Sequence, residues 1–360
     1  MNDTYAKRRR AVLSELHRRR LECLLVTHPA NWYYLSGFTG ESGALVIAPG
    51  QTTLITDGRF TTQAKQEAPG VKLQLQSGAF FGSVGAWLKK QRIRRAGYDP
   101  EQWTVTQCKT LQTATGAQCR MIEAAGIVES HRMRKDPQEL AVMRKAAILA
   151  GKVLEGALKL LRPGVRESEV AAEIEFQMKK NGASGPSFET IVAFGEHSAL
   201  PHARPTAKRL RKNELVVLDM GVILDRYCSD ITRTVFVGRA SRRIREWYRA
   251  VQDANQAATR SVQPGIACGE IDAAARDVLK KNSLDSYFVH STGHGLGLEV
   301  HEAPRIARGQ QVRLEEGNVI TIEPGVYVEG VGGIRIEDDV AVGLQGNEVL
   351  TRVSRDLIEI

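Results

Sequence analysis

The chain has 360 residues, of which 42% are hydrophobic and 25% are charged, a composition typical of a globular protein with a sizeable core. Its length favours two domains over one. No stretch of about 18 or more apolar residues occurs, so we expect neither a transmembrane helix nor a membrane partner. Five scattered cysteines without a C-x-x-C pair argue against a disulfide framework or a thiolate zinc site, and they predict a cytoplasmic protein.

The net charge of +9 is concentrated in several basic clusters, which could indicate a nucleic-acid partner. The clusters are spread along the chain, and no aromatic residues interleave with them as base stacking would require. We therefore interpret them as solvated helix faces and predict no nucleic-acid partner. They lie at residues 8–10, 18–20, 89–95 and 242–245.

The N-terminal part alternates between helical and strand patterns. The periodicity predicts a helix over "YAKRRRAVLSELHRRRLE", a buried strand at "CLLVTH", and two strands, "GALVIAP" and "TTLITD", around a Pro-Gly turn. This alternation predicts an α/β domain at residues 1–128, followed by a second domain at 129–360. The aromatic residues Trp32, Tyr33 and Tyr34 either lie on the surface and support a homodimer or pack in the core of their own domain.

A helix start follows the predicted domain junction. Asp136 suits an N-cap, Pro137 suits the first helical position, and Glu139 lies in the first turn. We therefore predict a long helix over residues 137–161.

The second part of the chain contains an internal repeat. "PGVRESEVAAEIEFQMKKN" (163–181) matches "PGIACGEIDAAARDVLKKN" (264–282) at an offset of 101 residues. Further along, "VVLDMG" matches "ITIEPG", which aligns Asp219 with Glu323, and "SDITRTVFV" matches "IEDDVAV", which aligns Asp230 with Glu337. Because carboxylates recur in the same order, we infer a duplication whose halves pack around a pseudo-twofold axis.

The aligned carboxylates predict a metal centre. We expect the strands of Asp219 and Asp230 to pair antiparallel around a turn at 224–226 and to place these two acids face to face, and likewise for Glu323 and Glu337. Alone, each acid could be a cap or a surface ion pair. Four buried acids, however, share a centre only if they are protonated, paired with bases or bound to cations.

His294, in "STGHGLGLEVHEAP", would add an imidazole to this oxygen-rich set. Two divalent ions fit such ligands, and we expect manganese, with cobalt or zinc as alternatives. Glycines 293, 295 and 297 would let the backbone pass close to the metals and the peptide. A phosphate-binding loop is excluded because no P-loop lysine follows the glycines.

The motifs "LDMGVILDRYCSDITRT", "STGHGLGLEVHEAP", "TIEPGVY" and "GIRIEDDVAV" resemble those of proline-specific metallopeptidases with the pita-bread fold, namely aminopeptidase P and prolidase. "PANWYYLSGFTGESGALVIAPGQTTLITDGRFTTQA" resembles their creatinase-like N-terminal domain, and "FETIVAFGEHSALPHARPT" resembles their substrate-binding segment. The resemblance implies an α/β (α+β) protein, in which a creatinase-like domain precedes a duplicated pita-bread domain.

The resemblance also implies the metal ligands. Asp219 would bind one metal, His294 and Glu323 would bind the other, and Asp230 and Glu337 would bridge the two.

Three further residues of the resembling motifs imply substrate contacts. His202 in "ALPHARP" and His301 in "LEVHEAP" occupy equivalent places in the two halves, and they would hold the scissile carbonyl and the proline end. Arg335 would contact Asp219 or the substrate, unless it is only a structural counter-ion of the acids.

The implied reaction is hydrolysis of the Xaa-Pro bond at the N-terminus of dipeptides or short peptides by a metal-bridged hydroxide. Glu323 would accept the proton and pass it to the proline nitrogen. A methionine-aminopeptidase-like exopeptidase would share the ligands but not the large N-terminal domain. A non-catalytic pita-bread binding protein would be expected to have lost ligands. The choice between dipeptidase and longer-peptide aminopeptidase stays open.

Overall fold

The computed structural model describes residues 2–360, with side chains from residue 4 onward. The chain forms two compact units, Met1–Arg132 and Met133–Ile360. In the described part, no helix combines the length and the apolar character needed to cross a bilayer.

The N-terminal unit is a six-stranded mixed sheet with strand order β4-β3-β2-β1-β5-β6. Strands β1, β2 and β3 pair antiparallel, whereas β4, β5 and β6 join by parallel pairing. The elements are α1 (Asn2–Arg18), β1 (Cys23–Val26), α2 (Pro29–Ser36), β2 (Ala44–Ala48), β3 (Gln51–Thr56), α3 (Thr61–Glu67), β4 (Lys72–Leu75), α4 (Phe80–Lys90), β5 (Arg95–Tyr98), α5 (Val105–Thr115), β6 (Arg120–Glu123) and α6 (Ile127–Arg132).

The predicted first helix and the strands β1, β2 and β3 are confirmed. Gly50, in the turn between β2 and β3, has a φ of 77°, a left-handed conformation that glycine adopts at little cost. The surface interpretation of the aromatic residues is wrong for Trp32 and Tyr34, which are 2% and 5% exposed. They lie on α2, and burying two large rings there contributes to the core of this unit.

The C-terminal unit has two similar halves, each with a helix pair against an antiparallel sheet. Its elements are α7 (Pro137–Leu158), α8 (Glu167–Lys180), β7 (Gly185–Pro186), β8 (Ile191–Phe194), β9 (Glu214–Met220), β10 (Val222–Leu224), β11 (Tyr227–Cys228), β12 (Ile231–Val237), α9 (Arg242–Ser261), α10 (Cys268–Lys281), β13 (Gly293–Gly295), β14 (Glu302–Ile306), β15 (Val319–Ile322), β16 (Gly325–Val328), β17 (Gly332–Arg335), β18 (Asp338–Gly343) and β19 (Gly346–Val349).

In the first half, apolar residues of α7 and α8 pack on β8, β9 and β12, which form one sheet. In the second half, α9 and α10 pack on the strands β15 and β18 of a five-stranded sheet, in the order β14-β13-β15-β18-β19. The repeat detected in the sequence thus becomes two helix-covered sheets, and the acids predicted to bind metal lie at the strand ends.

Helix α7 begins as predicted. The Asp136 carboxylate accepts hydrogen bonds from the backbone N–H groups of Gln138 and Glu139, and the Glu139 carboxylate accepts one from the Asp136 N–H. This reciprocal capping box, with Pro137 in the first turn, fixes the start of the helix. The helix ends at Leu158, three residues before the predicted end. The end was predicted less accurately because the sequence marks it less clearly than the capping box marks the start.

The predicted strand register in the first half is wrong. Asp219 lies opposite Thr232, and Ile231 lies opposite Met220, so Asp230 precedes β12 and does not face Asp219. A separate small hairpin, β10–β11, lies between β9 and β12 and turns at Asp225 and Arg226. The two-residue turn at Asp225 and Arg226 sets this register, which places a threonine rather than an acid opposite Asp219.

Candidate metal centre

The eight predicted site residues line one cavity of about 640 Å³ in the C-terminal unit. They come from both halves of the unit, at the ends of strands that the sheets bring together. The lining residues are Phe188, Glu189, Ile191, Pro201, His202, Ala203, Arg204, Asp219, Asp230, His290, Ser291, His294, His301, Glu302, Arg305, Glu323, Arg335 and Glu337.

Three of the predicted ligands form a compact set. Asp230, His294 and Glu337 each offer a ligand atom, and these atoms lie within 4.8 Å of one another. The His294 Nε2 atom is 3.8 Å from Asp230 Oδ2 and 3.5 Å from Glu323 Oε1. A third acid, Glu323, is therefore adjacent to this set, at separations that leave room for a cation between the donors.

Hydrogen bonds between the two halves fix the strand ends that carry these acids. The Glu337 N–H donates to the Thr232 carbonyl, and the Thr232 hydroxyl donates to Glu337 Oε2 at 2.6 Å. The Asp230 N–H donates to Asp339 Oδ2 at 3.1 Å. Thr232, which lies opposite Asp219 in the sheet, thus connects the first-half strands to an acid of the second half.

His294 sits at a β-bulge. The pairing of β13 with β14 shifts register between His294 and Gly295. The His294 Nδ1 atom is 3.0 Å from the Gly295 carbonyl oxygen, which leaves Nε2 facing the acids. Bulges commonly redirect a side chain next to a functional site, and this one directs an imidazole nitrogen to the cluster.

The glycines around His294 are required by neighbouring backbone. A Cβ atom at Gly293 would collide with the Thr321 carbonyl, and one at Gly295 would collide with the Ala303 carbonyl. The backbone at these two glycines therefore lies close to the backbone of the neighbouring strands β15 and β14.

Burial dominates the electrostatics of the acids. Desolvation, with repulsion from neighbouring carboxylates, raises the pKa values of Asp230 and Glu337 well above the usual range. Burial also raises the pKa of Glu323 to about 7 and lowers the pKa of His294 to about 4. Without a cation the cluster retains protons on its carboxyl groups, while the imidazole is neutral and free to act as a ligand.

The donor set fits divalent cations. Asp219 Oδ1 and Asp230 Oδ1 are buried side-chain oxygens without a hydrogen-bond partner among the described residues. Leaving two such acceptors unsatisfied is costly, and cations coordinated by them would remove that cost. Carboxylate oxygens with one imidazole suit manganese, cobalt or zinc, so the residues present are compatible with the predicted ions.

Arg335 is the principal counter-ion of Asp219. Its Nη2 donates to Asp219 Oδ2 at 2.6 Å, Nη1 donates to the Tyr327 hydroxyl at 2.5 Å, and Nε donates to the Thr232 hydroxyl at 3.1 Å. The Arg335 residue is only 3% exposed. The predicted contact with Asp219 is thus present, and a buried guanidinium with several partners fixes one face of the site.

His202 and His301 lie at the cavity, as the sequence predicts. The His301 ring packs edge-to-face on the His294 ring, with centroids 4.4 Å apart. Partial burial, with a contribution from His202, lowers the pKa of His301. Both residues are exposed to the cavity and are available to a bound ligand.

Sequence reasoning missed His290 and Tyr327. The His290 Nε2 atom is 2.9 Å from the Tyr327 hydroxyl, and Nδ1 is 4.0 Å from Glu323 Oε2. Burial lowers the pKa of His290 to about 4. A signal existed, because His290 lies four residues before the predicted ligand His294 in the same glycine-containing stretch.

Comparisons with known proteins identify the family of the chain. Residues 141–343 match the model of metallopeptidase family M24, and residues 8–134 match the creatinase/prolidase N-terminal domain. The chain belongs to metallopeptidase family M24. The pita-bread fold expected from the motifs is confirmed, and the chain is a peptidase of this family.

Individual relatives match almost the whole chain. The Xaa-Pro dipeptidase of Pyrococcus furiosus is 36% identical over 339 residues, which cover 94% of this chain and 95% of that protein. The structure of an Xaa-Pro dipeptidase from Bacillus anthracis superposes with a TM-score of 0.96 at 36% identity, covering 99% of this chain and all of that one. The X-Pro aminopeptidase from Thermotoga maritima gives a TM-score of 0.88 at 33% identity, covering 95% and 98%.

Proposed function

We propose that this protein hydrolyses the Xaa-Pro bond at the N-terminus of dipeptides or short peptides. The observation that carries the proposal is the buried cluster of four carboxylates and one neutral imidazole, open to a cavity of about 640 Å³. Relatives named Xaa-Pro dipeptidase and X-Pro aminopeptidase support this substrate class over a methionine-aminopeptidase-like activity. The ligand set argues against a non-catalytic binding protein.

We further propose which residues would bind each of the two metal ions. Asp219 would hold one cation, His294 and Glu323 would hold the other, and Asp230 and Glu337 would hold both. Manganese is the proposed ion, with cobalt or zinc as alternatives. When bound, two divalent cations would supply an activated water and would polarise the substrate carbonyl.

The side chains of the protein would carry out the proton transfer and would bind the substrate. Glu323 is the proposed proton carrier, since it lies between His294 and His290 and can accept a proton and return it to the leaving nitrogen. That nitrogen needs the proton because an amine anion is a very poor leaving group, so the C–N bond breaks as the nitrogen is protonated. His202 and His301 would donate hydrogen bonds to the developing oxyanion and to the proline end.

The test is hydrolysis by the chelated protein after addition of manganese, cobalt or zinc. Ala-Pro, Ala-Pro-Ala and Met-Ala are compared, with Asp230→Asn as the control that retains volume but weakens the metal site. We expect cleavage of the proline substrates alone, and the ratio of Ala-Pro to Ala-Pro-Ala distinguishes dipeptidase from aminopeptidase. Hydrolysis of Met-Ala in preference to both, or metal-independent cleavage, would contradict the proposal.

The homodimer and the cytoplasmic location stay predictions. Sedimentation of the purified full chain tests the first, and fractionation of expressing cells tests the second. The division of the chain at residues 1–128 and 129–360 is likewise a proposal, which limited proteolysis near residue 128 would check.

A further inference from the structure

Glu167, the first residue of α8, is a fully buried carboxylate that has no part in the chemistry above. Oε1 accepts hydrogen bonds from the Phe194 N–H at 2.9 Å and from His197 Nδ1 at 2.8 Å. Oε2 accepts from the Thr206 N–H at 2.9 Å and from the Thr206 hydroxyl at 2.6 Å. Four hydrogen bonds satisfy both oxygens of the group in a place where an unpaired carboxylate would be costly.

These donors come from both ends of one segment, residues 194–206, which we call the His202 segment. Pro201, His202, Ala203 and Arg204, which line the cavity, all belong to it. Between its ends, the segment is also held at the Pro201 carbonyl by Arg335 Nη1 at 3.2 Å and at Ser198, whose hydroxyl accepts from the Gly333 N–H. The Arg204–Glu189 ion pair at 3.3 Å and the packing of Ala203 in a small apolar cluster add to these contacts. Glu167 joins the two ends of the segment that carries His202.

The second half of the unit also contains a buried helix carboxylate that accepts hydrogen bonds from a threonine. Asp272 on α10 is 1% exposed and accepts hydrogen bonds from both the N–H and the hydroxyl of Thr292. Thr292 lies between His290 and His294. At an offset of 101 residues, Glu167 corresponds to Cys268 and not to Asp272. Each half thus has a buried helix carboxylate bound to a threonine next to a site histidine, although the two carboxylates are not aligned by the repeat.

We propose that Glu167 is a positioning residue for His202, an inference that rests on the proposed function. Its two carboxylate oxygens hold both ends of the His202 segment, so the His202 imidazole is already placed when the substrate carbonyl binds. The uncharged Glu167→Gln side chain has a single acceptor oxygen, and its NH2 group would face either the Phe194 or the Thr206 donors. That variant retains size but loses hydrogen bonds at one end of the segment.

Glu167→Gln is compared with Glu173→Gln, the same change on the same helix at a side chain that accepts one hydrogen bond, from Gln177. Hydrogen exchange of peptides covering residues 194–206 should accelerate about 10- to 100-fold in Glu167→Gln alone, as expected for losing hydrogen bonds to a charged group. The kcat/KM for Ala-Pro with manganese should fall about 10- to 100-fold, mainly in kcat, with unchanged metal content. Thr206→Val removes the hydroxyl that donates to Glu167 and accepts from the Lys208 N–H. It should show smaller increases in exchange and smaller losses of kcat/KM, and it should keep α8 protected.

Wild-type hydrolysis of Ala-Pro is measured first, and an inactive wild type overturns the proposed function irrespective of the exchange result. With an active wild type, faster exchange of the His202 segment together with unchanged kcat/KM in either variant overturns the positioning role. So does a loss of activity in which metal content falls or the exchange of all C-terminal peptides rises equally, since Glu167 would then act only on overall folding.

Discussion

Glu323 offers a quantitative test of the electrostatics of the site. Burial raises its pKa from the ordinary 4.5 to about 7 in the metal-free protein. The folded state therefore binds this proton more tightly than the unfolded chain, and the contribution of Glu323 to stability falls as pH rises from about 4.5 to about 7. At about 1.4 kcal/mol per pKa unit, this loss amounts to about 3 kcal/mol.

The absolute pH profile does not isolate this effect, because His290 and His294 act in the opposite direction. Their pKa values are lowered to about 4, so their contribution to stability rises with pH up to about 6.5. The difference between the wild type and Glu323→Gln cancels the contribution of these histidines. The variant cannot lose a proton at this position, so its free energy of unfolding should rise by about 3 kcal/mol relative to the wild type between about pH 4.5 and about pH 8. This gain includes the change at Asp230 and Glu337, whose pKa values Glu323 helps to raise.

The assay is urea unfolding in chelator, followed by far-UV circular dichroism at several pH values. In the wild type, bound manganese should offset the loss, since ligands that bind only the folded state stabilise it. The free energies of unfolding of the variant and the wild type are compared at each pH. A difference that stays constant with pH, or that grows in favour of the wild type, would refute the assignment of a raised pKa to Glu323.

Asp230→Ala should abolish metal binding and Xaa-Pro hydrolysis while the circular dichroism spectrum stays native; full activity in metal-free buffer would contradict the two-metal proposal. Arg335→Lys keeps the charge but cannot reach all the partners of the guanidinium, so we expect about 2–3 kcal/mol lower unfolding free energy in urea melts. Asn255→Leu removes donors to two carbonyls, those preceding Glu323 and Glu337, at 2.9 and 3.1 Å, and should cost about 2–4 kcal/mol by the same measurement.

Local signals explain what could be predicted from the sequence. The capping box at the start of α7 is formed by residues close together in the sequence, so the start of this helix was predicted correctly. Repeated carboxylates at the ends of apolar strands have few compatible environments, so their convergence with His294 on one cavity could be expected before the structure.

Register was not predictable in the same way. The intervening hairpin β10–β11 places Thr232, not Asp230, opposite Asp219, and nothing in the local pattern distinguishes these pairings. Periodicity alone also does not show that Trp32 and Tyr34 are both buried, because the burial of a short helix depends on what packs against it.

The set of groups that this protein brings to its site follows from the residues alone, because four acids on apolar strands and one imidazole allow few outcomes other than cation binding. The contacts that hold these groups follow from the fold. Glu167 is far in sequence from Thr206, and His290 is far from Tyr327, yet each pair forms a hydrogen bond. Such contacts depend on the packing of whole helices and sheets, so no local pattern encodes them.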